Sequence, residues 1–150
     1  MFPQSYDVVA LTDIVFSIMN QGVINTMKLI ILDGYSINPG DLSWAPIEAI
    51  ATFHSYDRSR QDEIVSRIGD SDGFFVSNCE ISRKTMEACP NLKFIGVTAT
   101  GYNHVDIEAA KELGIAVCHV PAYSTEAVAQ HTFALILELT NLAGRYNAAI

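Results

Sequence analysis

Residues 98–106, Thr-Ala-Thr-Gly-Tyr-Asn-His-Val-Asp, hold the densest run of groups that could do chemistry in this sequence. An apolar stretch at 92–97 leads into them, and Asp106 opens a helical pattern behind them, so a strand delivers a glycine turn straight into a helix. Such a turn presents backbone N–H groups to an anion. Thr100 and Gly101 form its centre, where the missing Cβ lets a ligand approach the backbone and permits positive φ. No Lys or Arg lies between Lys93 and Lys111, so an anion would meet neutral donors here and find its charge partner elsewhere. Asn78, just past the apolar run 73–76, is a second candidate because an amide can donate to the oxygens of a small acid. The same residue type also closes turns on its own backbone. Imidazole in general titrates near neutrality, which invites a catalytic role for His104 and His131, yet His104 falls on the loop before Asp106 and His131 inside an apolar helix, so the first reads as structural and the second as a core or interface histidine. Tyr102 and Tyr123 could line a cleft or simply pack.

Alternating strand and helix signals must position these groups. Residues 29–32 are a continuous apolar run closed by Asp33-Gly34, as in a parallel strand buried on both faces. Further strands are expected at 50–53, 73–76, 92–97 and 115–118. Between them, 38–46 holds one or two helical turns, because Pro46 would break a longer helix, with Trp44 packed. Ser59 or Asp62 caps a helix with an apolar stripe of Ile64, Val65 and Ile68, stopped by Gly69. Ser82 caps a helix carrying Met86 and Ala88 that ends before Pro90. Asp106 caps 107–113, with Ala109, Ala110 and Leu113 inward and Gly114 at the end. Five strands joined this way imply right-handed crossovers and a doubly wound parallel α/β sheet. Ligands of such sheets sit beyond the carboxyl ends of the strands. The ends nominated are Asp33-Gly34, Ser77-Asn78, 98–103 and 120–123.

Two segments stand apart. Residues 1–26 contain no Lys or Arg, and their apolar run 8–19 is interrupted by Thr12, Asp13 and Ser17. At roughly 12 residues it is short of the ~20 needed to span a bilayer, so it reads as an ill-ordered or mis-started extension. Residues 125–143 form a long helix, uncharged from 127 to 137, with Val128, Phe133, Leu135, Ile136, Leu137 and Leu139 around more than one face. A helix apolar all round needs cover on all sides. The five strands are expected to cover one side, and a second domain or a second copy the other.

Bulk properties exclude several classes. The 150 residues suffice for one domain without staples, and a net charge of −8 opposes a general nucleic-acid or membrane-surface role. Cys79, Cys89 and Cys118 are odd in number and form no C-x-x-C, so neither disulfides nor zinc is indicated, and reduced thiols in a cytoplasm are expected. Gly96 to Gly101 has the glycine spacing of a phosphate-binding loop but is followed by Tyr102-Asn103 rather than Lys-Ser/Thr. The dinucleotide fingerprint G-x-G-x-x-G is absent. A receiver domain would need an acidic cluster where Asp33 stands alone, and a flavin-binding domain a hydroxyl-rich loop where Gly34-Tyr35-Ser36 stands.

Taken together, Asn91-Leu92-Lys93-Phe94-Ile95, Thr100-Gly101-Tyr102-Asn103-His104-Val105-Asp106, Gly114-Ile115-Ala116-Val117, Pro121-Ala122-Tyr123-Ser124-Thr125 and Val128-Ala129-Gln130-His131-Thr132-Phe133-Ala134-Leu135 resemble the D-isomer-specific 2-hydroxyacid dehydrogenase family. The Tyr-Ser-Thr and Val-Ala-Gln-His-Thr stretches are most similar to its glycerate dehydrogenase, or hydroxypyruvate reductase, branch. The resemblance runs from Met27 onward. It implies a flavodoxin-like substrate-binding domain over residues 27–122, and over 123–150 a helix linking to an NAD-binding Rossmann domain. It implies that main-chain N–H groups at Thr100 and Gly101 hold the substrate carboxylate, and that Thr100 and Val128 approach the cofactor. That cofactor would be NAD, with the choice of NADH or NADPH set outside this chain. The partners implied are a small 2-hydroxy or 2-oxo acid and, in the complete protein, a second copy in a homodimer. The family's glycine-rich loop, substrate arginine, acidic residue and catalytic histidine correspond to positions past Ile150. The resemblance therefore implies no catalytic residue within these 150 and no activity from them alone. The competing expectation is a non-catalytic relative that uses its apolar helix as an interaction or dimerisation surface.

Overall fold

A computed structural model describes residues 27–149. The extension expected at 1–26 lies outside the described residues. Five strands, β1 (Lys28–Ile31), β2 (Thr52–Ser55), β3 (Gly73–Val76), β4 (Phe94–Val97) and β5 (Ala116–His119), form one parallel sheet in the order β2-β1-β3-β4-β5. This is the flavodoxin-like doubly wound order, with its switch point between β1 and β3. The three central strands are buried nearly throughout, whereas the edge strands β2 and β5 keep exposed positions. That difference is why 29–32 and 73–76 read as solid apolar runs. The second strand begins two residues later than expected, because Ala51 still donates its N–H to Ile47 and closes the preceding helical turn.

The helices pack on two core clusters, one on each face. On one, Ile64 and Ile68 of α2 (Ile64–Ile68), Met86 of α3 (Arg83–Glu87) and Ala109 and Ala110 of α4 (Ile107–Glu112) cover Ile30, Phe74, Val76, Ile95 and Val97. On the other, Ile47 of α1 (Ala45–Glu48), together with Ala51, covers Leu29, Ile31, Phe75 and Phe94, with Trp44 against Phe53 at 5.3 Å. Pro46 sits in the first turn of α1, so it opens that turn rather than ending it. Ser82 and Asp106 cap α3 and α4 through Thr85 N–H at 3.4 Å and Ala109 N–H at 2.9 Å. Gly69 and Gly114 terminate α2 and α4 with φ of 52° and 70°.

Several expectations are corrected by local competition. Neither Ser59 nor Asp62 caps α2. The Ser59 hydroxyl donates to Leu32 O, and Asp62 pairs with Arg60 at 2.7 Å, while the Glu63 carboxylate accepts from Arg60 N–H at 3.0 Å. Val65 and Leu113 face solvent at 40% and 41% exposure, because the sheet occupies only the side bearing Ile64, Ile68, Ala109 and Ala110. Ala88 follows α3 as its cap and is exposed.

The long helix α5 is Thr125–Asn141, and it stops short of 143 because Leu142 is left-handed at φ 51°. The Glu138 carboxylate then accepts from Gly144 N–H at 3.1 Å, starting α6 (Ala143–Asn147). No residue of α5 is buried, so the sheet covers neither side of it, contrary to expectation, and His131 is exposed, which excludes the core place expected for it and leaves the interface one. None of the described helices is long and apolar enough to cross a membrane.

Candidate functional site

The carboxyl ends of β1, β3 and β4 lie side by side and are joined by polar bonds. Asp33 follows β1 and is buried at 6% exposure. Its carboxylate accepts from Ser77 N–H at 3.0 and 2.9 Å and from Asn78 N–H at 2.8 Å, capping the end of β3. The Ser77 hydroxyl lies 2.6 Å from the Thr98 hydroxyl, which also donates to Val76 O at 3.2 Å. Thr98 N–H donates to Val76 O at 2.9 Å, prolonging the β3–β4 ladder by one residue before the chain turns away.

Beyond Thr98 the backbone leaves the sheet. Val120 N–H reaches Ala99 O at 3.2 Å, and the His119 ring holds Thr100 O from Nδ1 at 2.9 Å. A carbonyl only accepts, so this bond puts the proton on Nδ1. Tyr102 stacks edge-on against the same ring at 4.9 Å, and Val105 N–H closes the turn on Tyr102 O at 3.0 Å. Among the described residues none accepts the N–H of Thr100, Gly101 or Tyr102. The turn is thus fixed through its carbonyls and open through its donors. Backbone donors left unpaired this way are satisfied by water or a ligand.

Gly101 is not in the left-handed region, which corrects the conformational half of its expected role. A Cβ there would meet only Asn103 Oδ1, at the ordinary contact distance of 3.4 Å. Neither backbone conformation nor packing within the chain demands glycine, which leaves approach from outside.

Asn78 borders a cleft of about 360 Å³ with Asp33, Ser36, Asp57, Arg58, Ser59, Gln61 and Cys79. Its exposed side chain bonds to none of the described residues, so the local turn closure considered for it does not form. Arg58 lies over the Tyr35 ring at 5.4 Å. Burial pushes the Cys79 thiol up, with the Asp33 charge adding to it and Arg67 opposing. Neither that cleft nor a second one of about 350 Å³, around Glu80, Ser82, Asn103, His104 and Asp106, includes Thr100 or Gly101. Asn78 thus lines the first of these clefts, while Thr100 and Gly101 line neither. Val128 is 59% exposed on α5, and Tyr102 and Tyr123 are about half exposed. His104 holds the loop together through its carbonyl, which accepts from Ile81 N–H at 2.8 Å, while its Nε2 is buried without a partner among the described residues. No group of three His, Cys, Asp or Glu among the described residues is placed to hold a metal ion.

Sequence reasoning nominated the strand ends but missed what Asp33 and His119 do. An acid closing an otherwise apolar strand was the available signal for the first; nothing local marked the second.

The family pattern for the D-isomer specific 2-hydroxyacid dehydrogenase, catalytic domain, matches residues 30–145. The chain is 44% identical over 127 residues to the hydroxypyruvate reductase of Blautia hydrogenotrophica, covering 83% of this chain and 39% of that protein. It is 38% identical over 81 residues to the glyoxylate reductase of Thermofilum pendens, covering 53% and 24%. Among solved structures, the apo D-lactate dehydrogenase of Escherichia coli superposes with a TM-score of 0.66 at 26% identity, covering 81% of this chain and 40% of that one. An acyclic imino acid reductase in complex with NADPH and D-Arg superposes at 0.68 and 25%, covering 83% and 42%. The chain thus spans about two fifths of the length of most of these relatives. It belongs to the D-isomer-specific 2-hydroxyacid dehydrogenase family, whose catalytic-domain pattern runs through the turn and strand ends described above.

Proposed function

We propose that this chain is the substrate-binding portion of an NAD(P)-dependent oxidoreductase acting on the CH–OH group of small 2-hydroxy acids, of the glycerate and hydroxypyruvate type. The observation that carries the reading is the 98–103 turn, anchored through its carbonyls and presenting unpaired N–H groups at the carboxyl end of β4. In this reading the Thr100 and Gly101 amides hold the substrate carboxylate, and the Asn78 side chain donates to a further oxygen from the neighbouring strand end. With no cation between Lys93 and Lys111, the opposing charge is left to a guanidinium that we assign outside these residues.

Toward a nicotinamide cofactor the described residues offer part of a site. Thr100 brings an exposed hydroxyl and Val128 an exposed apolar side chain, but the sequence has no glycine fingerprint for a pyrophosphate. When bound, that cofactor supplies or accepts the hydride at the substrate carbon. We divide the chain into a substrate domain at 27–122 and a linking helix from 123. The left-handed backbone of Ala122, φ 55°, and the lack of buried residues in α5 support that division. Three unpaired thiols are compatible with a reducing cytoplasm. Homodimerisation in the complete protein belongs to the same reading.

The test is amide NMR of the chain titrated with D-glycerate and, as a dicarboxylate probe, malonate. Shifts should concentrate on 98–103 and Asn78 at millimolar ligand. A saturating titration that leaves the turn untouched overturns the assignment. Hydroxypyruvate reduction by the chain alone is expected to stay at the buffer rate.

The exposed apolar side of α5 favours a second reading, an interaction or dimerisation module. Phe133, Leu135, Leu137 and Leu139 are 54–79% exposed. Sedimentation separates the two readings, because a module dimerising through α5 would become monomeric on Phe133→Glu and would ignore D-glycerate.

A further inference from the structure

We propose that Asp33, acting through Ser77 and Thr98, is the positioning residue that sets the two parts of the substrate rim, Asn78 and the Thr100–Gly101 turn, relative to each other. The inference rests on that rim being the carboxylate site.

The end of β1 is an unexpected place for a charge. Asp33 is buried, and none of the ion pairs among the described residues includes it. Removing a carboxylate from water without a cation is costly unless hydrogen bonds replace its hydration. Here the replacement is three contacts from two consecutive amides, Ser77 and Asn78, all at 3.0 Å or less. These are charge-assisted bonds with narrow geometry. They fix the backbone of Asn78 while its side chain stays unpaired at the cleft that Asp33 also lines.

A second link runs from the first of these residues, Ser77, to the turn. Thr98 donates to Val76 O, so the 2.6 Å contact with Ser77 has the serine hydroxyl donating and Thr98 Oγ1 accepting. Thr98 stands two residues before Thr100. One chain of bonds thus crosses three neighbouring strands, from Asp33 after β1, through Ser77 after β3, to Thr98 after β4. Direct contact between Asp33 and a carboxylate substrate would set like charges together, so its bonds to the amides are its service to the site.

Asp33→Asn removes a negative charge near an anion site, which on charge alone tightens binding. As a positioning residue its loss weakens binding, because the amide sets an NH₂ where Oδ1 accepted from Ser77 N–H, donor against donor, and strips the charge assistance from the bonds of Ser77 and Asn78 to the oxygen that remains. The experiment is D-glycerate binding to the 150-residue chain, followed at the amides of Asn78, Thr100 and Gly101. For D33N the expectation is resting shifts moved at both Asn78 and Thr100, and affinity about tenfold weaker, the scale of one charge-assisted hydrogen bond. D72N is the control, a carboxylate at the opposite end of the sheet whose loss should lower stability and leave binding unchanged. Affinity of D33N equal to or tighter than wild type, or an unmoved Thr100 amide, overturns the proposal. Should D33N fail to fold, T98V decides, since cutting the hydroxyl link must move Asn78 and Thr100 together, and an unmoved Asn78 refutes the coupling. A wild-type chain that ignores D-glycerate sinks the substrate-site reading itself, and the inference with it.

Discussion

Two glycines on or just beyond β4 should respond in opposite ways to the same substitution. At Gly96 an added Cβ would lie 2.5 and 2.8 Å from Phe75 ring carbons and 3.1 Å from Phe94. Those rings form an edge-to-face pair at 5.7 Å and 75° in the core, with Phe75 1% exposed, so neither can swing aside. Overpacking costs about 1–3 kcal/mol. The disturbed ring pair adds up to about 1 kcal/mol, and replacing glycine within a strand returns about 0.5–1 kcal/mol. Gly96→Ala should therefore lose about 1–3 kcal/mol, a large share of the ~5–15 kcal/mol of an ordinary domain. Gly101→Ala meets no such wall, and its φ is not positive. It should be neutral or gain up to about 1 kcal/mol through the unfolded chain. Its cost should fall on D-glycerate, because the new methyl stands where the anion approaches, weakening binding about tenfold. Urea unfolding with an unchanged m-value measures the first effect and amide NMR titration the second. The reasoning is refuted if G101A loses more than about 1 kcal/mol, a structural cost unexplained by its surroundings, or if it binds as wild type.

Other consequences are independent of the ligand. Asp106→Ala removes the cap on Ala109 N–H and should cost about 1 kcal/mol by chemical denaturation. Asp72 is pushed up by burial, but the hydrogen bond from the Lys93 ammonium at 2.7 Å and that from Lys28 N–H at 2.9 Å outweigh this and hold it below the usual carboxylate range. A carboxyl depressed on folding stabilises the fold above its unfolded pKa of about 4, and that contribution is lost as pH falls through the folded value. Asp72→Asn should accordingly flatten the acid limb of stability against pH; an unchanged limb contradicts the assignment. Burial also raises the thiols of Cys79, Cys89 and Cys118, and the thiolate is the reactive form. Maleimide should therefore label the native chain slowly near neutral pH, with the half-buried Cys118 first, and rapid labelling of all three would count against the packing.

By itself the sequence determined the parallel α/β sheet, the caps at Ser82 and Asp106, the stops at Gly69 and Gly114 and the glycine turn after the fourth strand. These are local matters, because strand burial on both faces, capping chemistry and left-handed glycine leave marks within a few residues. The family resemblance was legible for the same reason, being carried by those turns and caps. Tertiary structure decided what depends on distant competition for one group. Ser59 leaves the helix it was expected to cap because Leu32, twenty-seven residues earlier, offers a carbonyl. Val65 and Leu113 fall on solvent because the sheet reaches only one side of their helices. The helix α5 finds no cover on either side among the described residues, which no apolar pattern could announce. The rim was divided in the same way: its turn could be read from residues 98–106, but the carboxylate of Asp33 meeting the amides of Ser77 and Asn78, more than forty residues away, is a contact that exists only once β1 and β3 lie side by side.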